Sequence, residues 1–148
     1  MKMLRNISMA LLFLVVALCI TSCGNSAPKS YYSYELVLAD GSAVTFDAKG
    51  NVDSNYKQAD GTTAKIEDWE KEFVQKRFMS FTLGSGNQVT SFVNGGNEMV
   101  SDNLKITYKV NKDGLTMKLP YGDAVFEADG ENYKLSADGE TIKFKEVK

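Results

Sequence analysis

From Tyr31 to the C-terminus, apolar and polar positions alternate. In LKITYKV (104–110), Leu104, Ile106, Tyr108 and Val110 fall on one side and Lys105, Thr107 and Lys109 on the other. LTMKL (115–119), NYKLSA (132–137) and TIKFKEV (141–147) repeat the rhythm, while SYELVL (33–38), AVTFD (43–47), FMSFTL (78–83), QVTSFV (88–93) and DAVFEA (123–128) follow it less regularly. A period of two is the pattern of half-buried antiparallel strands. The breaks between the runs carry Asp-Gly at 40–41, 60–61, 113–114, 129–130 and 138–139, joined by Lys49-Gly50-Asn51 and Gly84-Ser85-Gly86-Asn87. Asp-Gly supplies the positive φ that tight hairpins need. FDAKGNVDSNYKQADG (46–61) and FEADGENYKLSADG (126–139) echo one another and fit the same meander.

One segment departs from the period. In IEDWEKEFVQKRF (66–78), Ile66, Trp69 and Phe73 stand at helical spacing with Val74 beside them. Glu67–Lys71 and Glu72–Lys76 are i,i+4 pairs, and acids lead while Lys76 and Arg77 trail, which suits the helix dipole. This predicts one helix near 65–77, capped from Thr62 or Thr63, with Trp69 and Phe73 turned inward.

The N-terminus has a different character. Lys2 and Arg5 precede an uncharged run whose most apolar part is Met9–Ile20. At about 1.5 Å per helical residue this part falls short of a bilayer core of about 30 Å, so a secretory signal fits better than a membrane span. The run ends in Ile20-Thr21-Ser22-Cys23, which resembles the bacterial lipobox. The resemblance implies cleavage between Ser22 and Cys23, diacylation of the Cys23 thiol, palmitate-type acylation of the new terminus, and loss of Cys19 with the signal. The expected organisation is a lipoprotein signal peptide (1–22), a lipidated tether (23–30) and a single β domain (31–148). Three acyl chains would hold the protein on a membrane, one chain alone being only marginal. The expected location is the bacterial cell envelope, with attachment to the outer membrane facing the periplasm.

Composition narrows the chemistry. Removing Lys2 and Arg5 from 17 basic residues leaves 15 against 19 acidic ones, a net charge of −4, which argues against a nucleic-acid partner. The chain has no histidine, so the commonest general base and zinc ligand are missing. The Asp-Gly turns do not match a calcium loop, and Gly84–Asn87 is not a phosphate loop. No catalytic residue, metal site or cofactor is expected.

About eight strands in a meander should close into a barrel or fold as two packed sheets, since a long open sheet leaves exposed edges. The rhythm of 104–147 resembles the small lipocalin-like lipoprotein domains of bacteria, although YYSYELVL stands where lipocalins carry G-x-W. The resemblance implies an all-β fold, an antiparallel meander closing into a barrel of about eight strands that holds a small apolar ligand. The residues expected to line it are Phe81, Phe92, Tyr108, Met117, Phe126 and Tyr133, with Trp69 near a mouth. A second reading is an interaction module with a filled core that meets an envelope protein or glycan. It would use an outward stripe of Lys105, Lys109, Lys118, Lys134, Lys143 and Lys145, or Tyr31, Tyr32 and Tyr34. An enzyme is the third and weakest reading.

Overall fold

A computed structural model describes residues 27–148. The expected signal segment with Cys19, and the cleavage and lipidation expected at Ser22 and Cys23, lie outside the described residues. Among the described residues twelve strands and one α-helix follow in order: β1 (Lys29–Val37), β2 (Ala43–Thr45), β3 (Asn55–Lys57), β4 (Thr63–Lys65), α1 (Asp68–Gln75), β5 (Met79–Leu83), β6 (Gln88–Asn94), β7 (Asn97–Glu98), β8 (Ile106–Asn111), β9 (Gly114–Leu119), β10 (Gly122–Asp129), β11 (Asn132–Ala137) and β12 (Glu140–Glu146). β1 starts inside the segment expected to be tether. The regular runs of the C-terminal half each become one strand; β3, β4 and β7 are too short to have produced an alternation.

The strands pair in the order β1-β5-β6-β8-β9-β10-β11-β12, and β12 returns to β1, closing an eight-stranded antiparallel barrel. The closing ladder runs from Tyr31 opposite Glu146 to Val37 opposite Thr141. Closure joins the first and last strands of the meander, so neither is left as an open outer edge. β2, β3 and β4 branch from it. One edge of β1 pairs first with β5, through Lys29–Tyr32, and then with β2, through Glu35–Val37. A bulge between Ser33 and Glu35 marks the change of partner.

The turns obey the glycine signal with one exception. Asp138 and Gly139 both take positive φ, at 52° and 80°, the pairing a tight two-residue turn needs. Gly114 instead opens β9 at φ 149°, and a Cβ there would lie 1.9 Å from the carbonyl oxygen of Phe126. That glycine serves the close approach of β9 to β10.

Two apolar cores result. The barrel core is Tyr31, Phe81, Leu83, Val89, Phe92, Ile106, Leu115, Met117, Phe126 and Phe144. The second joins Leu36, Val44, Phe46, Ile66, Val74 and Phe78 where α1 meets the β1–β2 branch. Among the described residues the barrel closes within 29–146 and both cores are built from 31–144, the anatomy of a domain with its own core.

The helix is shorter than expected and turned differently. It starts after Glu67, whose N–H donates to the Glu70 carboxylate at 2.8 Å, and not from Thr62 or Thr63. Lys71 pairs with Asp68 at 3.6 Å, an i,i+3 contact. Arg77 leaves the helix end to pair with Glu140 on β12. Ile66 and Val74 are buried, whereas Trp69 and Phe73 are 71% and 63% exposed, which overturns their expected inward placement. Ile66, held by its N–H to the Ser54 carbonyl (2.9 Å), and Phe78 pin the two ends of the helix into the second core. With both ends fixed, Val74 is the helix residue that faces inward.

Candidate functional site

The barrel is filled at one end and hollow at the other. The filled end holds the starts of β1, β6, β9 and β11 and the ends of β5, β8, β10 and β12. Here Tyr31 stacks on Phe81 at 5.2 Å between ring centres and meets Tyr133 edge-on at the same distance. The Tyr108 hydroxyl donates to the Gly84 carbonyl at 2.8 Å. Burial, reinforced by Tyr133 and Glu146, pushes the Tyr31 phenol up to about 12. Below this layer, Phe81, Phe126 and Phe144 stand mutually 5.3–5.4 Å apart, and Met117 is fully buried. These side chains plug the barrel at mid-height.

Beyond the plug lies an apolar cavity of about 350 Å³. Phe92, Ile106 and Phe126 form its floor. Met79, Met99, Leu104, Ala124 and Leu135 are its walls, and Asn94, Leu119, Pro120 and Tyr121 edge it. No charged side chain lines it. The volume and the apolar lining with a few polar edge groups match a small-molecule pocket. Other depressions, of about 400 Å³ beside α1 and about 500 Å³ near the C-terminus, are more open and carry Lys and Glu side chains.

The cavity exists because two ladders stop early. β6 and β8 pair only through Gln88–Thr107 and Val89–Ile106. β10 and β11 pair only through Glu127–Asp129 with Asn132–Lys134. Both ladders lie toward the filled end, so the wall splays toward the other. The first gap is covered by the chain itself. β7 folds back on β6, and Glu98 takes over the missing partner's role: its carboxylate accepts from the Phe92 N–H (2.8 Å), the Val100 N–H (3.0 Å) and the Ser91 hydroxyl (2.7 Å). Burial pushes the Glu98 carboxyl up, but these donors outweigh it and hold it below the usual range.

Of the seven residues expected to line a ligand site, Phe92 and Phe126 line this cavity. Phe81 and Met117 are plug, Tyr108 and Tyr133 belong to the filled end, and Trp69 sits on the outside of α1, away from the mouth. Met99, Leu104, Ala124, Leu135 and Tyr121 were missed. Leu104 and Leu135 carried an inward signal in the alternation; Met99 and Tyr121, in short connections, carried none. Half of the lysine stripe is engaged by the barrel itself. Lys134 pairs with Glu127 (3.4 Å), Lys143 with Glu35 (2.6 Å), and the Lys145 ammonium lies over the rings of Tyr32 and Tyr34 (5.4 and 5.1 Å). Of the tyrosine cluster, Tyr31 is buried in the barrel core, and Tyr32 and Tyr34 lie under Lys145. Among the described residues no cluster of acidic side chains is arranged to hold a metal ion, and no helix is long and apolar enough to cross a membrane. No protein-family model, curated protein or solved structure matches the chain.

Proposed function

We propose that this is a lipid-anchored, non-catalytic barrel of the bacterial cell envelope that takes up a small apolar ligand at its open end. The observation that carries the reading is the uncharged cavity of about 350 Å³ above the phenylalanine plug. A folded domain gains stability by filling such space with side chains. Space kept beside shortened ladders favours an occupant. The anchor rests on the lipobox at Ile20–Cys23. β1 begins at the filled end, so an anchor at Cys23 would hold the mouth away from the membrane that bears it. The ligand would then arrive from the periplasmic side. Native mass spectrometry of residues 27–148, expressed in a bacterial periplasm, tests the binding reading. A mass adduct on the folded protein that disappears in Ala124→Phe is expected; a bare mass throughout would contradict it. Radiolabelled palmitate incorporation that is lost in Cys23→Ser tests the anchor.

A second reading, contact with an envelope protein, draws on Trp69 and Phe73, which lie one turn apart and exposed on α1. Exposed aromatic residues of this kind are enriched at interfaces.

A further inference from the structure

We infer that the ligand enters sideways, through the cleft between β10 and β11, and that it is a single apolar chain with an uncharged hydrogen-bonding head that stays in the cleft. The inference rests on the cavity reading above and adds the route and the ligand class.

The two gaps in the wall are not alike. The β6–β8 gap is closed by β7 and by residues 98–104, with Glu98 fastening them to β6. Among the described residues nothing pairs with β10 over Gly122–Phe126 on the side facing β11, or with β11 over Leu135–Ala137 on the side facing β10. Continuing the register of Glu127 with Lys134 would set Phe126 against Leu135 and Val125 against Ser136, yet that ladder stops. Ala124, Phe126 and Leu135, at the lips of this cleft, are also cavity walls and floor. The cleft is therefore continuous with the apolar space. Tyr121, 97% exposed on the β9–β10 turn, stands at its outer end.

The same geometry selects the ligand. An apolar chain in the cavity loses no hydrogen bond. Its head would lie between two strand edges that offer unpaired N–H and C=O groups, a setting that satisfies a hydroxyl or ester. An anionic head finds no cation on the lining. At the outer end of the cleft stand Asp138 and Asp123, the latter opposite Lys118 in the β9–β10 ladder. Burying an unpaired carboxylate there is costly, so an alcohol is preferred over a fatty acid of equal length.

The test uses residues 27–148, which contain no cysteine. Val125→Cys and Ser136→Cys are introduced together and bridged by oxidation or by a short bis-maleimide. A control pair, Lys109→Cys with Thr116→Cys, bridges the intact β8–β9 ladder. Stopped-flow uptake of N-phenylnaphthylamine and its displacement by dodecanol or laurate are followed. The inference predicts that bridging 125–136 slows uptake by about tenfold or more, that the unbridged form and the control behave as wild type, and that dodecanol displaces the probe at lower concentration than laurate. Unchanged uptake across a bridged 125–136 pair overturns the route, and laurate equal to or better than dodecanol overturns the ligand class; in both cases the cavity reading stands. Absence of probe binding in the unmodified protein overturns the cavity reading itself.

Discussion

The hydroxyl oxygen of Ser33 accepts a hydrogen bond from the backbone N–H of Met79 at 2.9 Å, at the point where β5 parts from β1. Ser33 is fully buried and the β1–β5 ladder has just ended at Tyr32–Ser80. Without that oxygen the first N–H of β5 would lose its partner inside the domain. A small polar side chain thus lets one edge of β1 serve two strands, and with them both cores.

Ser33→Ala is expected to destabilise the domain by about 1–3 kcal/mol, the usual cost of an orphaned buried donor. Ser33→Thr, which keeps the oxygen, should cost less despite its added methyl. Urea denaturation of 27–148 measures both, with an unchanged m-value expected.

Trp69 is the protein's one tryptophan, and its placement is open to direct reading. Its emission should be solvent-like and quenched readily by iodide. Trp69→Ala should shift stability by no more than about 0.5 kcal/mol, whereas Ile66→Ala, at the buried entry to the helix, should cost about 2–4 kcal/mol. A blue-shifted, protected tryptophan would restore the core position that the helical spacing suggested.

Glu98 gives the cavity wall a pH dependence. Its folded-state ionisation is lowered, so its contribution is fully present above the unfolded carboxylate range and is lost as pH falls through the folded value. Amide hydrogen exchange at Phe92 and Val100, extrapolated to equal intrinsic rates, should show protection falling in acid. Glu98→Gln should remove that dependence. The plug, built on Phe81 and Phe144, should not respond.

Tyr31 acts at the opposite end of the pH scale. Its phenol titrates near 12 when folded, above the ordinary value of 10.0, so its contribution is intact below the unfolded value and is lost as pH rises through the folded one. Burial raises the Tyr133 phenol as well, so ultraviolet titration should show two tyrosines ionising late, and Tyr31→Phe should remove one of those steps and lessen the loss of stability in alkali.

The alternation read from the sequence located β8, β9, β11 and β12, because apolar and polar residues take turns along each of them. It also placed Ile106, Leu115, Met117 and Phe144 in the core. The hollow was not legible. It depends on where the β6–β8 and β10–β11 ladders stop, and ladder length is fixed by register and barrel geometry rather than by the period of either strand. The helix lies where its sequence put it, but its inward face does not, for a related reason. Its short sequence offers two apolar stripes, Ile66–Val74 and Trp69–Phe73, and the choice between them is made at its ends, by Ile66 and Phe78.

The measurement closest to the central claim is an equilibrium titration of 27–148 with N-phenylnaphthylamine, beside Ala124→Phe, which places a ring in the open end, and Lys49→Ala, in the depression beside α1. Saturable binding at one site, abolished by Ala124→Phe and untouched by Lys49→Ala, is the predicted result. Binding that survives a filled open end, or none in the unmodified domain, would contradict it.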